Sequence, residues 1–459
     1  MADYDLAIIG GGPGGYVAAI RAAQLGMTVV SIEREEIGGV CLNWGCIPSK
    51  ALIRNADVLN LVHRAGEFGI KVGEIQSDYK VAVDRSRQVV DRLSKGVKSL
   101  FRSNSIDLVK GSASFVEPNV LRVSGDTIEA RNVIVATGAS PAVLPGVDID
   151  GELVMTYREA IVSNALPSSI VIIGAGSIGV EFAHIYNAYG VDVTVIESKD
   201  RVLPMEDREC SDVVTRSLKK RGVSFYTSAS VTAVNEETGA TRISFATADG
   251  KQNTLHADRV LVSVGIRGNT DALGLEHGQI QTENSFVKVD SNLCANSWGA
   301  FAIGDVTGIM PLAHVAQAQG TYVVEYLAGL QPPLLDYDSV PRAVYADPQV
   351  ASIGLTEEQA MERGNKVKTG RFPFLANGKA LAMGNYEGFA KVVIEAETGE
   401  LLGAHLVGHE VTELLGELSL NRLLEGTSAE IGAAFKAHPT MSEAVKEAAL
   451  AADGRAVHI

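Results

Sequence analysis

The apolar positions of this chain fall into two regimes. Over the first two thirds, short continuous apolar runs alternate with stretches of helical period, the pattern of parallel strands buried on both faces and joined by helices. Residues 5–10 (DLAIIG) form one such run, followed by Gly10-Gly11-Gly12-Pro13-Gly14-Gly15 and the helix-like YVAAIRAAQLG that stops at Gly26. A second run, from Met27 to Ile32, ends at Glu33. Residues 170–174 (IVIIG) restart the same plan with Gly174, Gly176 and Gly179, the helix-like VEFAHIYNAYG, and VDVTVIE closing at Glu197. The interval from Gly10 to Glu33 equals that from Gly174 to Glu197, 23 positions in each. From about Tyr337 the regime changes to RAVYAD, VASIGL and a hairpin-like pair, AKVVIEAET and GELLGAHLVG, turning at Thr398-Gly399. Three segments apolar at i, i+3 and i+4 follow: VTELLGELSLNRLLEG, SAEIGAAF and SEAVKEAALAA. The pattern therefore predicts repeated α/β units and then a mixed α+β module.

Each repeated unit is a strand, a Gly-rich turn, a helix, a second strand and a terminal carboxylate, which is the plan of a dinucleotide site. The first glycine makes the tight turn, the second lets a pyrophosphate approach the backbone, and the third lets helix pack on strand. The pyrophosphate sits at a helix N-terminus and the acid accepts hydrogen bonds from ribose hydroxyls. In the first unit the candidate contacts are Gly10, Gly12, Pro13, Gly14, Gly15 and Glu33. In the second they are Gly174, Gly176, Ser177, Ile178, Gly179 and Glu197, with Gly265 at the end of the run Val260 to Gly265. Glu197 would repel a 2′-phosphate, and Ser198 rather than Arg follows it, so NAD is favoured over NADP. Two further segments, Asn132 to Gly138 and Phe301 to Asp305, read as buried strands delivering Thr137, Gly138 and Asp305 at their carboxyl ends, where ligands of open parallel sheets lie.

Length and composition narrow the classes. A chain of 459 residues predicts about three domains. It holds 47 glycines without any low-complexity repeat, so many positions need backbone freedom or close approach. A net charge of −15 argues against nucleic-acid and membrane-surface partners, which require clustered Lys and Arg. No apolar run reaches about 18 residues and the first residues are acidic, so a cytoplasmic protein is expected. Of four cysteines only Cys41 and Cys46 are close in sequence, within GGVCLNWGCIPSKAL. In a reducing compartment such a pair is a redox candidate, and no neighbouring Cys or His cluster favours zinc. Pro48 suits the first turn of a helix, whose dipole lowers a nearby thiol pKa, and Lys50 lies one helical turn past Cys46.

This segment resembles the active site of the pyridine nucleotide-disulfide oxidoreductases, and its Cys-Ile-Pro-Ser-Lys-Ala-Leu ending is most similar to their dihydrolipoamide dehydrogenase branch, the E3 components of 2-oxo acid dehydrogenase complexes. The resemblance extends from the first fingerprint at Gly10 to His438-Pro439-Thr440-Met441-Ser442-Glu443. It implies two Rossmann-like dinucleotide-binding domains, for FAD and then NAD, and a C-terminal α+β dimerisation domain. The implied division is 1–147 for the first part of the FAD domain, 148–267 for the NAD domain, 268–336 for the second part of the FAD domain and 337–459 for the dimerisation domain. By the same resemblance Cys41 and Cys46 form a redox disulfide, His438 of a second subunit is the base and Glu443 orients it, and Lys50 pairs with Glu181. Gly111, Ala113, Thr137, Gly138, Asp305, Ala313 and Lys50 join the FAD site. The implied partners are a second copy of the chain and a lipoyl-bearing E2 or H-protein. Related disulfide reductases and a non-catalytic flavoprotein subunit are the alternatives. Trp44 departs from the aliphatic residue usual between the cysteines, and Arg267 stands where relatives differ.

Overall fold

Burial on both faces accounts for the composition of the strand Tyr4–Ile9, whose last four residues are all buried and which sits inside a parallel sheet. In the computed structural model, which describes residues 3–237 and 239–459, the parallel strands of this sheet run in the order Asp107–Lys110, Val29–Glu33, Tyr4–Ile9, Asp126–Val135, Ala300–Ala302. The N-terminal part of Asp126–Val135 also pairs antiparallel with Val120–Val123, which pairs in turn with Ala113–Glu117. A second parallel sheet runs Ser224–Tyr226, Asp192–Ile196, Ser169–Ile173, Arg259–Val262, Val154–Met155. A three-stranded antiparallel sheet, Ala229–Glu237, Ala240–Thr247 and Gln252–Ala257, belongs to the same unit.

The sequence repeat is a structural repeat. Ile9 is in register with Ile32, and Ile173 with Ile196. The Gly10 amide donates to the Ile32 carbonyl at 2.8 Å and the Gly174 amide donates to the Ile196 carbonyl at 2.8 Å. The chain passes between the two units through one antiparallel ribbon, Ala139–Pro141 against Ile266–Gly268. Asn269 fastens this ribbon: its amide nitrogen donates to the Thr137 carbonyl at 2.9 Å, its carbonyl accepts from Thr137 Oγ1 at 2.8 Å, and its Oδ1 accepts from Ser140 Oγ at 2.7 Å.

The last unit is a five-stranded antiparallel sheet in the order Arg342–Val344, Gln349–Gly354, Leu401–Gly408, Phe389–Glu395, Val367–Pro373. The expected hairpin is Phe389–Glu395 with Leu401–Gly408, its turn held by Glu395 Oε2 accepting from the Thr398 amide. Of the three helical segments, the first begins as a tight turn, Val411–Leu414, before the helix Leu415–Leu423; the others are Ser428–Ala433 and Glu443–Ala452. Ala444, Val445, Ala448 and Ala449 of the last helix enter one apolar core with Phe372, Ala390, Val392 and Ile394 of the sheet. Lys391, 4% exposed within that sheet, reaches Asp207 at 3.2 Å, Glu209 at 2.7 Å and Glu357 at 3.0 Å, and so ties the second unit to the last. No helix among the described residues is long and apolar enough to cross a membrane.

Close approach between the last helix and its sheet depends on Gly370, where any Cβ would overlap the Ala448 carbonyl oxygen and the Ala452 amide. Gly370→Ala is therefore expected to cost about 1–3 kcal/mol, the usual range for overpacking, and to lower the unfolding midpoint by a few degrees. An unchanged calorimetric midpoint would contradict that packing.

Candidate active site

Three glycine roles separate cleanly in each Gly-rich turn. Gly10 and Gly174 have φ of +107° and +103°, where an L side chain is strained, and a Cβ would strike the Ala136 and Ser263 carbonyls respectively. Gly15 and Gly179 lie in the helices Pro13–Gln24 and Ser177–Ala188, where a Cβ would strike the carbonyls of Gly10 and Gly174. Gly12 and Gly176, each capping its helix, have ordinary extended backbones; a Cβ on Gly12 would meet only Gly39 at 3.9 Å, and one on Gly176 would meet nothing within 4 Å. The protein's own packing does not demand glycine there, whereas an approaching pyrophosphate does. Pro13 begins one helix, and Ser177 and Ile178 begin the other, so each turn presents a helix N-terminus to an anion.

The two acids are held in place. Glu33 Oε2 accepts from the Gly11 amide at 2.7 Å and Oε1 accepts from the Glu35 amide at 2.7 Å. Glu197 does the same with Ala175 at 2.6 Å and Lys199 at 2.7 Å. Each carboxylate is thus oriented at the end of its second strand beside its turn. Gly111 donates to the Glu33 carbonyl at 3.0 Å and Ala113 opens the adjoining strand. Gly265, with φ of +124°, leads into the ribbon between the units, and Arg267 is exposed and paired with Asp271 at 2.9 Å.

Several segments converge on the first turn. A Cβ on Gly14 would lie 3.0 Å from the Ala316 carbonyl, so the helix Ala313–Leu327, which begins at Ala313, packs directly on the helix Pro13–Gln24. Thr137 and Gly138 follow the strand Asp126–Val135, and Asp305 lies in the tight turn Gly304–Thr307 after Ala300–Ala302. Burial pushes the Asp305 carboxyl up from its ordinary value. Gln319, fully buried, accepts from the Gly304 amide at 2.6 Å and sets that turn. The donor set fits a flavin dinucleotide: a helix N-terminus for phosphates, an acid for a ribose, and a second helix N-terminus where reduced flavin gathers negative charge. The second turn, with its own acid, fits NAD.

The cysteines occupy two successive helices. Cys41 lies in the short helix Gly39–Asn43, and Cys46 opens the helix Cys46–His63. Cys41 is half-buried and Cys46 exposed, and the two stand side by side at the junction of the helices. The helical turns place the two sulfurs together without requiring the S–S bond. Each thiol is the main perturber of the other, in opposite directions: Cys41 lowers the Cys46 thiol, against burial and with help from the charge of Lys50, and Cys46 raises that of Cys41, helped by burial.

Lys50 and Glu181 meet across two helices. Lys50 Nζ lies 2.9 Å from each Glu181 carboxylate oxygen, and Glu181 is only 6% exposed, so it is no surface glutamate. Burial disfavours the Lys50 charge, but Glu181 overrides it and holds the ammonium above its ordinary pKa. The Tyr345 amide also donates to Glu181 at 3.0 Å, and Lys50 stands 4.6 Å over the Tyr345 ring. His438 and Glu443 form a separate pair. His438 Nδ1 is 2.8 Å from Glu443 Oε1, while Glu443 Oε2 accepts from the Thr440 amide at 2.8 Å. Burial works against the Glu443 charge, yet those two donors hold its carboxyl below the ordinary range. The His438 side chain is 80% exposed, and its carboxylate partner in the same chain is Glu443, with neither cysteine in hydrogen-bonding contact.

Sequence reasoning missed several groups that shape this site. Tyr16 is half-buried beside both cysteines, and burial followed by their charges raises its phenol. Asn43, 4% exposed, donates to the carbonyls of Ile37 and Gly39 and so shapes the cysteine segment. Trp44 is covered by the Arg158 guanidinium at 4.3 Å, and Arg158 binds Glu35 at 2.8 Å. A Trp between two cysteines was a visible signal; the Tyr345 amide left none, because a backbone donor has no residue signature.

The chain is similar to known proteins over nearly its whole length. Residues 4–320 match the pyridine nucleotide-disulphide oxidoreductase family and residues 340–449 match the dimerisation domain of that family. A dihydrolipoyl dehydrogenase of Corynebacterium glutamicum is 45% identical and one of Rhizobium etli 44% identical, each aligned over 99% of both chains. The crystal structure of LpdA from Mycobacterium tuberculosis superposes with a TM-score of 0.90 at 28% identity, covering 97% of this chain and 98% of that one. An HOCl-induced flavoprotein disulfide reductase, RclA from Escherichia coli, superposes at 0.86 with 27% identity, covering 97% and 99%.

Because the Lys50 ammonium favours the Cys46 anion, Lys50→Met should move the titration of Cys46 to higher pH. Thiolate absorbance in the ultraviolet, followed against pH on the dithiol protein, measures this; a shift to lower pH would refute the assigned electrostatics.

Proposed function

The chain belongs to the pyridine nucleotide-disulphide oxidoreductase family, and on that premise we propose that it is a dihydrolipoyl dehydrogenase, oxidising protein-bound dihydrolipoamide with NAD as the acceptor. The observation that carries this reading is the placing of Cys41 and Cys46 on two successive helices beside a Lys50–Glu181 pair that joins the two dinucleotide units. Glu33, Gly12, Pro13, Gly14, Asp305 and Ala313 would hold FAD, and Gly176, Ser177, Gly179 and Glu197 would hold NAD. FAD, when bound, carries the electron pair from the dithiol to the nicotinamide.

The remaining steps fall to this chain's residues. A substrate thiolate attacks Cys41 of the oxidised couple, the S–S bond breaks, and Cys46 leaves as the thiolate. The second substrate thiol then attacks the mixed disulfide at the substrate sulfur, releasing lipoamide and the Cys41 thiol. His438 takes the substrate proton at Nε2, because Glu443 occupies Nδ1, fixes the tautomer and stabilises the imidazolium. Lys50 stabilises the Cys46 anion, and Glu181 holds Lys50 charged. Since His438 is exposed and paired within its own unit, it serves the cysteines of a second copy, and the active unit is a homodimer whose sites are each completed by His438 of the partner subunit. The lipoyl group arrives on an E2 or H-protein carrier, and a reducing compartment such as the cytoplasm suits a couple that cycles through free thiols.

Purified protein should reduce NAD when given dihydrolipoamide, and turnover with NADP alone would overturn the assignment. His438→Ala should lower kcat by about 10²–10⁴-fold, the range for losing a positioned general base, while the flavin stays bound. Undiminished turnover in that variant would remove His438 from the mechanism.

A further inference from the structure

A second polar contact joins the same two helices as Lys50 and Glu181. His184 lies on the nucleotide helix Ser177–Ala188, one turn past Glu181 and on the same face, and is 1% exposed. Its Nε2 is 3.0 Å from Oδ1 of Asp57, which lies on the redox helix Cys46–His63, about two turns past Lys50. A carboxylate only accepts, so Nε2 carries the proton and donates it to Asp57. Burying an imidazole at a helix interface is costly unless it is hydrogen-bonded, so this contact fixes how the helices meet. Two contacts at unequal spacing along the two helices set their separation and their rotation about each axis, which a single ion pair leaves free. Ile53 of the redox helix and Val180, Ala183 and Ile185 of the nucleotide helix lie in one apolar core around these contacts.

We propose that Asp57 and His184 are positioning residues for the reaction, holding the nucleotide helix on the redox helix so that the NAD site stays aligned with the flavin site. This rests on the dihydrolipoyl dehydrogenase reading and predicts that the two half-reactions separate. Errors of about an ångström in alignment cost up to about 10²-fold in rate, so the NAD-dependent half should be the one affected.

The test uses the full-length holoenzyme and four forms: wild type, Asp57→Ala, His184→Leu and His184→Gln, whose amide nitrogen takes the place of Nε2. Stopped-flow reduction by dihydrolipoamide should stay within about twofold of wild type in all four. Reoxidation by NAD should fall about tenfold in Asp57→Ala and His184→Leu and recover to within about threefold of wild type in His184→Gln. Amide hydrogen exchange over residues 177–188, measured without NAD, should speed up in the first two variants and not in His184→Gln. Equal losses in both half-reactions, no loss in either, or a Gln variant no better than Leu would overturn the proposal. Should His184→Leu fail to fold, Asp57→Ala, at a position one-third exposed, carries the comparison with His184→Gln. Failure of the wild type to be reduced by dihydrolipoamide would instead count against the functional reading.

Discussion

A buried carboxylate survives in a protein interior only if other groups satisfy it, and Glu181 draws its donors from two other parts of the chain. Lys50 comes from the redox helix beside the first sheet, and the Tyr345 amide comes from the edge of the C-terminal sheet. The carboxylate itself sits on the helix that opens the second nucleotide site. Satisfying this one group therefore requires all three units to be docked. The Lys391 cluster adds a second ionic tie between the second unit and the last, through Asp207 and Glu209. The orientation of the nucleotide unit is thus set by ionic contacts at its borders as much as by apolar packing.

The same local physics produces two sites of different character. Both turns share φ values, amide-to-acid bonds and helix packing to within small differences. What differs is the cover. The first turn is approached by Gly39 of the cysteine segment and by the helix Ala313–Leu327, whereas nothing stands within 4 Å of a Cβ on Gly176. An enclosed turn suits a dinucleotide that stays, and an open one suits a dinucleotide that comes and goes with each turnover.

How much could be read beforehand follows from where each requirement is enforced. The repeated turns were legible because positive φ and close backbone contact demand glycine at particular spacings, and the acid must follow at the end of the next strand. Cys46 with Lys50, and His438 with Glu443, were legible because each pair is local in the chain. The C-terminal hairpin was legible from two apolar runs flanking a Thr-Gly turn. Illegible features joined distant segments through ordinary residues: Asn269 on Thr137 and Ser140, His184 on Asp57, Lys391 on Asp207. No periodicity distinguishes an asparagine that fastens a crossing from one that faces water. The short helix Gly39–Asn43 was missed for a related reason, since it depends on Asn43 capturing two carbonyls from within the fold.

The ribbon that joins the units carries a further consequence. Pro141 and Ile266 are direct partners in it, so the chain enters and leaves the nucleotide unit through neighbouring residues, about 5 Å apart at the Cα atoms. Everything from Ala142 to Gly265 is topologically a loop of the first sheet, of a span a two-residue turn could close. Such a segment can be exchanged as a cassette without rethreading its host, so coenzyme preference is able to change by replacement of one contiguous stretch while the cysteine pair, its flavin cradle and His438 keep their own framework.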